Sequence, residues 1–105
     1  MSASRRYEIL LPLRFNDGQP VSDALISETL TELESHFGAV LWETQAVRGR
    51  WRHEEEVYSD DLMRVIIDVE DLVEHRQFFG EFKERLKLRF RQIEIYMTTH
   101  LVDVI

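Results

Sequence analysis

The chain has 105 residues, which is enough for one domain with a single hydrophobic core. Its 20 acidic and 13 basic residues give a net charge of −7. This balance argues against a nucleic-acid-binding protein, because such proteins usually present a basic surface. The chain contains no cysteine, so disulfides, thiol nucleophiles and cysteine-ligated metal centres are excluded.

The first part of the chain predicts a strand followed by a helix. Residues 1–6 are expected to form a flexible lead-in to a single domain over residues 7–105. Apolar residues alternate over residues 7–15, which predicts a strand with one buried face. Helical spacing of apolar residues predicts a helix over residues 23–36, with Ser22 as its N-cap.

Two alternating segments, over residues 39–53 and 57–69, flank a run of acidic residues and predict a long hairpin. A turn centred on Glu54 and Glu55 pairs apolar with apolar residues on both faces of this hairpin. The paired positions include Trp51 with Tyr58 on one face and Trp42 with Ile67 on the other.

A second helix is predicted over residues 73–89, and a last strand over residues 93–105. The resulting order predicts an α+β fold, the ferredoxin-like βαββαβ sandwich. We expect a four-stranded antiparallel sheet of order 4-1-3-2, with both helices on one face. The hairpin between the second and third strands is long for this body, so its end should project beyond the helices.

The face of the sheet without helices is predicted to be rich in apolar side chains. Such a face is more often an assembly surface than an active site, although a ligand groove and plain solvent exposure are alternatives. We therefore expect a homo-oligomer, either a dimer or a trimer. The expected interface residues are Leu62, Ile66, Tyr96, Trp51 and Tyr58.

Arg48, Arg50 and Arg52 alternate along a predicted strand and therefore share one face. Guanidinium groups match carboxylates and phosphates in shape and charge. These arginines, with Trp51 and Tyr58 behind them, form the candidate binding surface for a small anionic ligand or an acidic protein segment. The alternative is salt bridging within the chain or between subunits.

The negative charge is concentrated in residues 54–71, which hold eight acidic residues and one basic residue. A solvated hairpin end and the acidic start of a helix account for this concentration. A cation site built from these carboxylates is the alternative, but the spacing of a calcium-binding loop is absent.

Two resemblances bear on this interpretation. The run Val47-Arg48-Gly49-Arg50-Trp51-Arg52, followed by Glu56-Val57-Tyr58-Ser59-Asp60-Asp61, resembles a group of short bacterial proteins of unknown function. Asn16-Asp17-Gly18 ahead of the first helix is also similar to that group, which carries no assigned activity. The long aromatic hairpin is more loosely similar to the CutA and PII-like trimers, where it engages neighbouring subunits. The last strand lacks the His-Pro-Tyr-Glu segment typical of CutA, so this likeness bears on assembly only.

The sequence shows no catalytic signature. The four histidines lie on different predicted elements, and no glycine-rich phosphate loop is present. We therefore expect no catalytic residues, no metal and no cofactor, which favours a non-enzymatic module. The alternative is a small monooxygenase-like enzyme of the dimeric α/β barrel type, with its site between sheet and helices or between subunits. No apolar run is long enough to span a membrane, so a cytoplasmic protein is expected.

Overall fold

A computed structural model of the chain describes residues 3–105. It contains five strands and two helices. In chain order these are β1 (Ser4–Pro12), α1 (Asp23–Phe37), β2 (Leu41–Trp42), β3 (Val47–His53), β4 (Glu56–Glu70), α2 (Val73–Arg89) and β5 (Met97–Val102). None of the helices described is long and apolar enough to cross a membrane.

The strands form one antiparallel sheet of order β2-β4-β1-β5, and β3 also pairs with β4. β2 and β3 pair with successive parts of β4, so together they take the place of the single second strand predicted from the sequence. The predicted ferredoxin-like α+β fold is confirmed, with five strands in place of four. The difference comes from residues 43–46, which interrupt the pairing.

The interruption divides the predicted hairpin register into a correct part and an incorrect part. Trp51 lies opposite Tyr58 as predicted. Trp42 lies opposite Val65, so the prediction that it faces Ile67 is wrong. Four residues, 43–46, separate β2 from β3, whereas only two residues of β4, 63 and 64, lie opposite them. The two extra residues shift the register of β2 relative to β4. Trp42 consequently lies at the sheet edge and is about half exposed.

β1 begins at Ser4, whereas the sequence predicted a flexible lead-in up to residue 6. The strand pairs with both β4 and β5 from its first residue. Two charged side chains hold its start in place. Arg6 forms two hydrogen bonds with the carboxylate of Asp68, at 2.8 and 2.9 Å, and Arg5 lies 2.7 Å from Asp71. Met1 and Ser2 lie outside the described residues.

Both predicted helices are present, and the ends of α1 follow from capping. α1 extends one residue beyond the prediction, to Phe37. The Ser22 hydroxyl accepts a hydrogen bond from the Leu25 amide, and Gly38 ends the helix with a positive φ of 87°. α2 has the predicted bounds.

Side chains from both helices join those of one sheet face in a single core. Strand residues at alternate positions supply one layer, and α1 and α2 supply the other. The fully buried members include Tyr7, Ile9, Leu11, Leu33, Val65, Ile67, Phe79, Phe82, Leu86 and Phe90. The last strand is shorter than predicted, and Leu101 near its end is 57% exposed.

Candidate functional site

Residues 47–61 form a two-stranded extension, here called the hairpin arm. It consists of β3 and the first part of β4. All core side chains lie outside the arm, in the remainder of the chain, here called the body. The molecule measures 46 Å along its longest axis, and its radius of gyration is 14.3 Å. A compact chain of this length has a radius of about 13 Å, which agrees with a projecting arm.

The arm ends in a two-residue turn at Glu54 and Glu55. Both residues have positive φ values, 49° and 69°, as the tight hairpin turns with the favoured twist require. Glycine and asparagine adopt this conformation most readily, and glutamate adopts it at a cost. The turn preserves the register around Trp51 and Tyr58 that the sequence predicted.

Trp51 and Tyr58 stack on one face of the arm. Their ring centroids are 4.5 Å apart, and the ring planes differ by 19°. The Trp51 indole donates a 2.7 Å hydrogen bond to Asp60. The Tyr58 hydroxyl donates one to Glu56, and this bond raises the pKa of the phenol. Both rings are half-buried because each covers part of the other.

Arg48, Arg50 and Arg52 lie on the opposite face of the arm. Nε of Arg48 is 3.5 Å from the Asp61 carboxylate, and Nε of Arg14 is 3.8 Å from it. Within residues 3–105, Arg50 and Arg52 have no carboxylate partner at ion-pair distance. The predicted internal pairing is therefore present for Arg48 and not for the other two arginines.

The arginine face borders a surface cleft of about 470 Å³. Its lining includes Arg14, Arg48, Arg50, Ser59 and Asp61. Three arginines and two acidic residues, Asp60 and Asp61, line this cleft, and the Asp61 carboxylate is shared between Arg14 and Arg48. The cleft therefore has an excess of positive charge in a protein that is negative overall.

A second cleft, of about 450 Å³, lies on the open face of the sheet where the arm leaves the body. We call it the sheet cleft. It forms because β5 ends its pairing with β1 at Ile9, so Leu10 and Pro12 pair with β4 on one side and have no strand partner on the other. The opposite wall comes from residues 92–96, which leave α2 through a left-handed turn at Arg91. The side chains lining this cleft are mostly apolar.

The predicted interface residues divide between this cleft and its surroundings. Trp51, Leu62 and Tyr96 line the sheet cleft, and Tyr58 stacks behind Trp51. Ile66 lies farther along β4, between Glu8 and Leu41. The structure thus brings four of the five predicted residues together.

Sequence reasoning missed Asp60, which lines the sheet cleft and binds the Trp51 indole. The signal was available, because the predicted register places Asp60 diagonally across from Trp51 on the same face. Leu41 was missed for a different reason. It is 61% exposed beside Ile66 because the interruption at residues 43–46 shifts β2.

Acidic residues and histidines do not converge on a metal site within the described residues. No group of three or more histidine, aspartate or glutamate side chains there is arranged to hold an ion. His36 and His75 both contact the ring of Phe37, and His53 lies 3.7 Å from Glu54. The layer between sheet and helices is filled by stacked rings such as Tyr7 and Phe79, 3.9 Å apart.

No family model and no curated protein matches the chain. Several solved structures share its fold. CutA1 from Oryza sativa superposes with a TM-score of 0.64 at 10% identity, covering 98% of this chain and 83% of that one. The divalent cation tolerance protein CutA1 from Thermus thermophilus gives 0.62 at 14% identity, covering 96% and 85%. A phage SAM lyase in complex with S-methyl-5′-thioadenosine gives 0.67 at 12% identity, covering 99% and 92%.

At these identities the likeness concerns the fold alone. The loose resemblance to CutA inferred from the long aromatic hairpin is confirmed at that level. The resemblance to short bacterial proteins of unknown function stays a prediction.

Proposed function

We propose that the protein is a homo-oligomeric binding module whose hairpin arm packs against a second copy of the chain. The observation that carries this proposal is the arm itself, which extends from the body without a core of its own. Isolated two-stranded hairpins are marginally stable in water, so an arm of this length needs additional contacts. A neighbouring subunit supplies them most simply.

The proposed interface combines the arm with the open face of the sheet. Trp51, Tyr58, Leu62, Ile66 and Tyr96 supply its apolar part. Tyr96 is 65% exposed in the single chain, so covering it removes substantial apolar surface from water. The proposed assembly is a dimer or a trimer, and the CutA resemblance favours a trimer. The proposed module acts in the cytoplasm. It binds neither membranes nor nucleic acids.

The arginine face of the arm is the proposed binding surface for a small anion or an acidic segment of a protein partner. Arg50 and Arg52 provide charge without a carboxylate partner in the described chain, and Arg48 shares Asp61 with Arg14. Bidentate guanidinium contacts suit phosphate and carboxylate groups. Trp51 and Tyr58 stiffen the strands that present these arginines.

Replacing Arg48 and Arg50 together by alanine tests the anion site. We expect phosphate to raise the melting temperature of the unmodified protein and to have less effect on the double variant. The matched control is Arg48→Lys with Arg50→Lys, which keeps both charges and loses the planar fork. Equal phosphate responses in the unmodified protein and the alanine variant contradict the anion site, while the mass in solution tests self-association separately.

A small enzyme with its site between subunits is the second candidate function. The fold likeness to a phage SAM lyase and the sheet cleft favour it, since about 450 Å³ is enough for a small molecule. A site between sheet and helices is disfavoured, because core side chains fill that layer. Incubation with S-adenosylmethionine, followed by chromatography for S-methyl-5′-thioadenosine, tests this candidate. An unchanged substrate peak counts against it.

A further inference from the structure

Asp60 is a carboxylate on an apolar wall of the sheet cleft, facing away from the arginines. We infer that the sheet cleft binds a small molecule with a flat apolar body and a cationic nitrogen, and that this nitrogen pairs with Asp60. The inference goes beyond the proposed anion site, because it concerns the other face of the arm and the opposite charge.

The arrangement of Asp60 and Gly49 leaves room for such a group. The two residues lie directly opposite each other in the β3–β4 pairing, so no side chain stands across from the carboxylate. Leu10, Pro12 and Leu62 line the cleft beside them. The volume of about 450 Å³ lies within the usual range for small-molecule sites.

The hydrogen bonding of Asp60 is incomplete. One carboxylate oxygen accepts the 2.7 Å hydrogen bond from the Trp51 indole. Throughout residues 3–105 this indole is the only side-chain partner of the carboxylate. A carboxylate beside apolar side chains interacts strongly with a cationic donor, because the surroundings screen charge less than bulk water does.

The other charged groups at the cleft do not neutralise Asp60. Glu94 is also acidic, and its carboxylate lies 3.1 Å from Lys83. Arg48 belongs to the opposite face and lies 3.5 Å from Asp61. Arg50 alternates with Trp51 along β3 and therefore also points to the opposite face. Arg48 and Arg50 are among the lining residues, but strand alternation directs their side chains to the opposite face, so the Asp60 carboxylate faces the apolar wall and favours a cation over an anion.

The aromatic side chains at the cleft select a flat body. Trp51 is held by its stack on Tyr58 and by the bond to Asp60, so its orientation is defined from two sides. Tyr96 lines the same cleft and is 65% exposed. Rings of this kind pack well against flat apolar molecules and attract cations at their faces.

Two probes of equal size and opposite charge test the inference on the unmodified protein. Heteronuclear NMR follows the indole N–H of Trp51 during titration with 2-phenylethylamine and, separately, with 3-phenylpropionate. We expect saturable shifts of this resonance with the amine and an affinity at least about tenfold weaker for the carboxylate, a difference that one charge-assisted contact accounts for. Equal affinities, or tighter binding of the carboxylate, would overturn the inference.

Two variants locate the contact. Asp60→Asn retains an acceptor for the indole and removes the charge, so amine affinity should fall about tenfold. Asp103→Asn removes the same charge in the C-terminal tail and should leave affinity unchanged. Gly49→Val adds side-chain atoms to the cleft and should abolish the shifts. The fold should accept this change, because a Cβ at position 49 meets only the Leu62 side chain, at 3.4 Å. Undiminished amine affinity in both Asp60→Asn and Gly49→Val overturns the site.

The outcomes also separate this inference from the proposed function. Asp60, Trp51 and Gly49 belong to one chain, so amine binding does not require a second copy. Trp51, Leu62 and Tyr96 also belong to the proposed interface, so the inference requires an assembly that leaves the sheet cleft open to the amine. A monomeric mass in solution refutes the proposed oligomer and leaves the cation preference to be measured. Absence of that preference in an oligomeric protein refutes the inference alone.

Discussion

The body and the hairpin arm share the same strand and differ in what covers it. In the body, Met63, Val65 and Ile67 of β4 face the helices and are almost fully buried. In the arm, Val57 and Ser59 of the same strand and the same face lie beside arginines and are exposed. The backbone of β4 keeps its strand conformation from the body into the arm, although the helices cover only the part that lies in the body.

This difference indicates what each region depends on. The body draws its stability from a packed core in which side chains of both helices meet one sheet face. The arm depends on one aromatic stack, a strained turn and whatever packs against it. Core substitutions should therefore affect the whole molecule, and arm substitutions should act mainly on the arm and on assembly.

The largest expected effect is in the body. Phe82 on α2 is fully buried, and Phe82→Ala should lower the free energy of unfolding by about 3–5 kcal/mol. Urea denaturation followed by circular dichroism measures this. Leu88→Ala on the same helix is the control, because Leu88 is 82% exposed and its loss should change stability little. Similar losses in the two variants would show that the core has been assigned incorrectly.

The turn of the arm offers a stabilising change. Glu54→Asn combined with Glu55→Gly places residues that tolerate positive φ at both positions. The free energy of unfolding should rise by about 1–2 kcal/mol, provided that the arm unfolds together with the body.

Glu54→Gln with Glu55→Gln is the control for the turn, since it removes the same charges and keeps both Cβ atoms. An equal gain in this control would assign the effect to charge repulsion, and hydrogen exchange of arm amides would show whether the arm itself is stabilised.

The aromatic stack should show a smaller but measurable coupling. A double-mutant cycle with Trp51→Ala and Tyr58→Ala should give about 1 kcal/mol between the two rings, the usual value for a stacked pair. Additive single effects would contradict the stack. Since both residues belong to the proposed interface, each substitution should also weaken self-association, which sedimentation detects.

The smallest effect concerns acid stability in the body. Burial by itself raises the pKa of Glu32. Hydrogen bonds from Arg89 and Arg85, at 2.8 and 2.7 Å, outweigh this effect, so the pKa of Glu32 is lower than its ordinary value. The resulting stabilisation is present above the unfolded pKa and is lost as the pH falls through the folded pKa.

Glu32→Gln should therefore cost up to about 1 kcal/mol at neutral pH and much less at pH values below the folded pKa. Melting curves across this range measure the difference, with the exposed Glu28→Gln on the same helix as control. A loss for Glu32→Gln that is independent of pH would contradict the ion-pair explanation.

The fold was largely predictable because periodicity and capping agree in this chain. Alternation identified the strands, and Ser22 and Gly38 marked the ends of α1. The interruption between β2 and β3 was not predictable, because residues 43–46 contain neither glycine nor proline and place Thr44 and Ala46 in step with Trp42. The break places Trp42 at an edge and Leu41 on the open face, positions that tertiary packing decides.

The candidate site was predictable in part. The register correctly placed the arginines on one face and Trp51 with Tyr58 on the other. A ligand groove was one of three alternatives for the open face, but the sheet cleft itself was not located, because its outer wall depends on the left-handed conformation of Arg91. Arginine gives no sequence signal for that conformation, whereas glycine would have done so.

The mass of the unmodified protein in solution tests most directly whether the arm needs a partner. Light scattering at micromolar concentration should give two or three times the chain mass of 12.6 kDa. A mass of 12.6 kDa would contradict the proposal, and protection of arm amides from hydrogen exchange in that monomer would show that the arm is stable without a second copy.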